Sequence, residues 1–94
     1  MEKNSHYFYV LKCRDGSYYA GYTNDLGRRL NQHNEGRGAK YTRGRGPVTL
    51  LYAAAYPTKT EAMQMEYRFK QFTRKKKEQW MEKERSKNVA AEEL

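Results

Sequence analysis

Five tyrosines fall between Tyr7 and Tyr22, at positions 7, 9, 18, 19 and 22, and the dipeptide Asp15-Gly16 splits them into two stretches. Aromatic side chains suit a pleated, half-buried surface, and an Asp-Gly pair between two such stretches is a strong short-range hairpin signal. Whatever this chain folds into is built on that hairpin. Tyr7 to Cys13 is apolar on both faces, which predicts a buried central strand, with Ser17 to Thr23 returning beside it. Gly21 in mid-strand costs strand stability and marks a close approach by a ligand or another backbone.

A hairpin needs a core to rest on, and aliphatic residues are scarce. Twelve of the 94 residues are leucine, valine or phenylalanine, none is isoleucine, and the net charge is +8. That balance ordinarily belongs to a disordered chain. Nine tyrosines reverse the reading, since each buries a large aromatic body while keeping a hydroxyl for solvent or a ligand. A chain of this length closes one core only. One domain over 1–85 is expected, with 86–94 as a frayed tail.

The remaining elements follow from caps and periodicity. Asn24 or Asp25 caps a helix that runs to about Asn34 and is closed by Gly36. Val48 to Tyr56, after Pro47, is a third strand. Thr58 and Glu61 stand three apart as a capping box for a helix to about Phe72. Thr73 caps a third helix to about Arg85. The fold class expected is α+β: a three-stranded, mainly antiparallel sheet flanked by three helices, in the order ββαβαα.

Several functional classes fall away. The single Cys13 excludes an intrachain disulfide framework and a cysteine-rich zinc site, and it suits a reducing cytoplasm. Two histidines, His6 and His33, are too few for an imidazole metal centre. The longest apolar run, Leu50 to Tyr56, is far short of the ~20 residues of a membrane span. The opening MEKNSHYFYV has no apolar core or cleavage site of a signal peptide.

The positive charge is concentrated. Gly36 to Gly46 carries Arg37, Lys40, Arg43 and Arg45 with no acid, and Arg74 to Lys77 is a continuous basic block. Mobile glycines, cations and the stacking face of Tyr41 suit a polyphosphate backbone, although a solvated loop without a ligand has the same composition. A membrane surface fits less well, because neither block lies on a helix with a strongly apolar opposite face.

Three polar residues sit where a reason is needed. Leu26 and Leu30 make the apolar face of the first helix, and Arg29 and His33, also four apart, share its edge. They either snorkel and pack, or present a cation and a proton-exchanging group to one point. On the second helix Ala62, Met65, Phe69 and Phe72 form the core stripe, and Glu66 lies on it. A carboxylate there is expensive unless a cation meets it. That cation is either an arginine in a salt bridge or a metal such as Mg²⁺, which favours hard oxygen ligands.

These residues in this order resemble the GIY-YIG nuclease superfamily. Tyr7-Phe8-Tyr9 stands at the first motif and Tyr19-Ala20-Gly21 at the second, ten residues on. Arg29 follows Tyr19 by ten and His33 follows by four more, while Glu66 sits in the later helix where the family keeps its metal-binding glutamate. Gln32-His33-Asn34 and the GAKYTRGRGP loop are most similar to the small single-domain bacterial group (YhbQ/YazA-like), and the eukaryotic flap and junction nucleases have a similar loop. The first motif lacks its glycine and isoleucine, and the second has Ala20 for isoleucine. The asparagine of homing-type members has no counterpart beyond Asn88.

The resemblance implies hydrolysis of phosphodiester bonds in DNA, with structure-specific cleavage in DNA repair or processing among its forms. It implies one divalent ion, Mg²⁺ or Mn²⁺, held by Glu66, and a phosphate met by Arg29. Tyr9 would orient or deprotonate the attacking water with Tyr19 beside it, and His33 would relay a proton or hold the tyrosine. Arg37, Lys40, Arg43, Arg45, Lys75, Lys76 and Lys77 would track the nucleic acid. The alternative is a nucleic-acid-binding module that keeps the nuclease fold without catalysis. An adaptor reading would rest on Trp80 as an exposed aromatic. A monomeric cytoplasmic protein is expected.

Overall fold

A computed structural model describes residues 5–93, with side chains as far as Ser86. Two strands, β1 (His6–Lys12) and β2 (Tyr18–Thr23), are followed by helix α1 (Leu26–Asn34) and a 3₁₀ turn, Lys40–Thr42. Strand β3 (Thr49–Tyr56) and helices α2 (Lys59–Gln71) and α3 (Arg74–Glu93) complete the chain. The order is ββαβαα, and the sheet is antiparallel with β1 in the centre, β2-β1-β3.

The hairpin forms as expected. Cys13 N–H donates to Ser17 O at 2.8 Å, and the Asp15 carboxylate accepts from both the backbone N–H and the hydroxyl of Ser17. In register, Tyr9 stands opposite Gly21 and Leu11 opposite Tyr19, while β3 bulges past β1 between Val10 and Leu11.

Alternation along β1 divides the core in two. Phe8 and Val10 face α2 and α3, in a cluster with Ala20, Tyr52, Phe69 and Met81. Tyr9, Leu11 and Cys13 face the other way with Val48, and Tyr19, Leu26, Leu30 and Ala53 pack against them. Helix α1 and the basic loop therefore cover one face of the sheet, and α2 and α3 cover the other.

The caps hold as read. The Asp25 side chain accepts from Arg28 N–H, Thr58 from Glu61 N–H, and Thr73 from Lys76 N–H. Two expectations change. Trp80 is not an exposed aromatic: its ring lies 5.1 Å from Tyr52, 5.8 Å from Phe69 and 6.2 Å from Phe8, edge-on to each. An amphipathic reading of α3 misses it, because among the described side chains of that helix only Trp80 and Met81 are apolar, set among charged neighbours. The third helix also continues past Arg85 to Glu93, since no Gly or Pro interrupts it and Ala90, Ala91, Glu92 and Glu93 favour helix. Of the expected tail, Leu94 lies outside the described residues.

Candidate active site

The side chain of Tyr9, buried on the α1 face of β1, ends against His33, and the two are joined Oη to Nε2 at 2.9 Å. Gly21 explains why the phenol can lie there. A Cβ at residue 21 would stand 2.6 Å from Tyr9 Oη, so the close approach anticipated at this glycine is that of a tyrosine side chain, not of a ligand or another backbone.

His33 is buried on the inner edge of α1, and its other nitrogen, Nδ1, meets Thr42 Oγ1 at 2.8 Å. Thr42 in turn donates its hydroxyl hydrogen to the Ala39 carbonyl at 2.9 Å. That assignment fixes the imidazole. A hydroxyl has one hydrogen, so Thr42 must accept from His33, which places the ring proton on Nδ1 and leaves Nε2 as acceptor for the Tyr9 hydroxyl. The chain reads Tyr9 O–H to His33, His33 N–H to Thr42, Thr42 O–H to Ala39. Gly38 makes room for the ring, because a Cβ there would collide with His33 Nδ1.

Electrostatics set the protonation states. Burial pushes the Tyr9 phenol up to about 12 against the pull of the Arg29 cation beside it, and Tyr19 and Glu66 add to the rise. Burial, helped by the Arg29 charge, lowers His33 to about 4. At neutral pH both groups are uncharged and Arg29 supplies the fixed positive charge. Gln32 accepts from the Arg29 guanidinium at 3.0 Å and so aims it.

Tyr19 adds a column of rings. It lies 5.3 Å from His33 and 6.4 Å from Tyr9, and Tyr41 stacks on it at 6.0 Å and 24°. The Arg45 guanidinium caps Tyr41 at 4.3 Å. The structure thus brings Tyr9, Tyr19, Arg29 and His33 to one place, and the Glu66 charge reaches Tyr9 from α2. Glu66 is half-buried and its Oε2 accepts from Lys70 Nζ at 2.8 Å.

The basic residues are not brought together. Lys40 and Arg43 are exposed on the loop beside α1, and Arg37 is paired with Glu35. Arg45 is tied down by the Asp15 carboxylate at 3.1 Å and by the Tyr41 carbonyl at 2.6 Å. Lys76 and Lys77 lie over Phe72 and Phe69, across the sheet from the loop, with Lys75 exposed beside them. Thr42 and Gly38 are the residues of this site that sequence reasoning misses. A threonine and a glycine in a basic loop carry no periodic signal, and their partner His33 lies on another element.

A single carboxylate suits an ion that keeps most of its waters, and that fits Mg²⁺ better than Zn²⁺. No cluster of three or more His, Cys, Asp or Glu residues able to hold a metal occurs among the described residues. Nor is any helix among them long and apolar enough to cross a membrane.

Residues 5–79 match the family described as the GIY-YIG catalytic domain. A UPF0213 protein of Bacillus velezensis is 68% identical over 90% of this chain and 86% of its own length. The UPF0213 protein YazA of Bacillus subtilis is 58% identical over 96% and 91%. The solution NMR structure of a UPF0213 protein from Bacillus halodurans superposes with TM-score 0.55 at 55% identity, over 82% of each chain. That of an E. faecalis protein gives TM-score 0.61 at 51% identity, over 88% of this chain and 90% of the other.

Proposed function

The chain belongs to the GIY-YIG family, and on that premise we propose that it is a metal-dependent endonuclease acting on phosphodiester bonds in DNA, with Tyr9 as the group that takes the proton of the attacking water. The observation that carries this reading is the hydroxyl of Tyr9, held between a neutral histidine acceptor and the Arg29 cation.

A phenol at about 12 is no standing base at neutral pH, so Tyr9 works only by passing its own proton on. His33 Nε2 is aligned to receive it. As water approaches phosphorus, its proton goes to Tyr9 Oη while the Tyr9 proton moves to His33. The new P–O bond then forms and the bond to the 3′ oxygen breaks, that oxygen taking a proton from solvent. Arg29 meets the negative charge that gathers on the phosphate. Burial chiefly depresses His33 and the Arg29 cation adds to it; the same phosphate offsets that cation, so substrate binding makes the imidazole a better acceptor. Glu66 is the residue that would hold a divalent ion, which when bound neutralises the phosphate and stabilises the leaving oxygen. Lys40 and Arg43 on the loop supply backbone contacts with little base reading. The lone buried thiol of Cys13 suits a reducing cytoplasm, and we take the protein to act as a monomer.

A second reading has one observation in its favour. The Glu66–Lys70 pair places a cation on the carboxylate the metal needs, as a non-catalytic nucleic-acid-binding module could keep it. Incubation of flap, branched and single-stranded DNA with the protein and Mg²⁺ or Mn²⁺ separates the two. Cleavage that disappears with Tyr9→Phe supports the nuclease; binding without cleavage of any substrate supports the module.

A further inference from the structure

An open cleft of about 480 Å³ lies at the outer edge of β2, between that strand and the first turns of α1 and α2. It opens beside the candidate active site, and Arg29 is common to both. We propose that this cleft, lined by His6, Tyr22, Arg28, Arg29, Gln32 and Lys59, is a second phosphodiester subsite that holds the nucleotide next to the one being cleaved. The proposal rests on the nuclease reading above and extends it to His6, Tyr22, Arg28 and Lys59, which lie outside the motifs that carry the family resemblance.

Charge comes first. Arg28, Arg29 and Lys59 bring three cations to the cleft against one carboxylate, Asp25, whose Oδ1 already accepts the Arg28 backbone N–H at 3.2 Å. An excess of cations in an open cleft of this size favours an anion that extends beyond it, as a polymer backbone does. Aromatic surface comes second. His6 and Tyr22 are joined Nδ1 to Oη at 2.7 Å, with ring planes 15° apart. Lys59 Nζ lies 5.8 Å from the Tyr22 ring. Cations beside an aromatic pair are the combination that tracks a single strand: charge for the phosphate, ring face for the base or sugar. Geometry comes third. Arg29 lines this cleft and also meets Tyr9 and Tyr19, so a strand whose scissile phosphate sits on Arg29 has the cleft within reach of its adjacent nucleotide.

The test is the salt dependence of binding to a labelled single-stranded DNA oligonucleotide, read by fluorescence anisotropy without metal. The variant is Arg28→Ala with Lys59→Ala, and Arg68→Ala with Lys83→Ala, on the outer faces of α2 and α3, removes the same two charges away from the cleft. Each cation that reaches a phosphate contributes about 0.7 to the slope of log K against log salt for a single strand, so the double variant should be shallower by roughly 1.4. The control should match the parent. Should alanine unsettle the first turns of the helices, Arg28→Gln with Lys59→Gln gives the same reading. A parent that binds and cleaves while the double variant keeps its slope would overturn the subsite and leave the nuclease reading standing. A parent that binds no single-stranded oligonucleotide would overturn the subsite, and only a parent that also cleaves no flap or branched DNA with Mg²⁺ or Mn²⁺ would overturn the nuclease reading with it.

Discussion

Tyr9 donates its hydroxyl hydrogen to His33, oxygen to nitrogen at 2.9 Å, because Thr42 has already claimed the other nitrogen of the ring. The tyrosine is placed by the register of β1, the histidine by the pitch of α1 and the threonine by a loop. A strand, a helix and a turn thus converge on one proton path.

Thr42 is the first residue to test. Thr42→Val keeps the shape but leaves the His33 Nδ1–H without its acceptor in a buried place, which typically costs about 1–3 kcal/mol. The ring is also free to take the other tautomer, in which Nε2 can no longer accept from Tyr9. Cleavage should fall with stability in Thr42→Val, and Thr42→Ser should restore both. A valine variant that cleaves at the parental rate would show that the tautomer does not matter.

How much of this was legible in the sequence depends on the range of each interaction. The hairpin, the three helix caps and the core stripe of α2 rest on neighbours within a few residues, and they formed where the pattern put them. Arg29 and His33 were legible as a pair because helical pitch alone places them on one edge. Thr42, Gly38 and the Trp80 cluster were not, because each is defined by a partner on another element that packing chooses. The loop was expected to be mobile for its glycines, yet Tyr41 and Thr42 are both engaged by the site.

The buried histidine makes stability depend on pH. His33 holds its proton more weakly when folded, at about 4, than at its ordinary 6.5. Between those values the unfolded chain binds more protons, so stability is full above 6.5 and is lost as pH falls through 4. The gap corresponds to at most about 3 kcal/mol. Thermal melts of the parent and His33→Gln from pH 7 to pH 4 measure it. The parent should lose more stability than the variant, and parallel losses would refute the assignment.

Two glycines should resist any side chain. Gly21→Ala puts a methyl into the Tyr9 hydroxyl and Gly38→Ala puts one into the His33 ring. Overpacking of this kind costs about 1–3 kcal/mol and displaces the very atoms that carry the proton. Gly27→Ala is the contrast: a Cβ there meets nothing within 4 Å, and an alanine in a helix should stabilise by about 0.4–1 kcal/mol. Chemical denaturation of the three variants gives the signs directly.

Glu66 and Lys70 should come apart under mutation. Their bond joins residues one turn apart, with the lysine half exposed, and such pairs contribute about 0.3–0.5 kcal/mol. Lys70→Ala should therefore change stability little and cleavage little, since any divalent ion would displace the ammonium. Glu66→Gln keeps the volume and should abolish metal-dependent cleavage while oligonucleotide affinity stays within a few-fold. Full cleavage by Glu66→Gln at saturating Mg²⁺ would remove it from the metal site.

The decisive comparison is among tyrosines. Tyr9→Phe removes one hydroxyl and little volume, so a tyrosine that merely packs tolerates it. If Tyr9 takes the water's proton, the loss should cost about 10²–10⁴ in rate. Tyr7→Phe and Tyr18→Phe share the hairpin and serve as controls. Tyr18 directs its hydroxyl to Glu78 on the α3 side, away from His33, and its removal leaves the proton path intact. Tyr9→Phe also leaves His33 Nε2 without its donor, so melting temperatures must accompany the rates, and comparison is made where all variants are fully folded. Equal rates for the three variants would mean that the attacking water is activated without Tyr9. A rate lost only in Tyr9→Phe, with binding unchanged, identifies the hydroxyl that the strand, the helix and the loop hold in place.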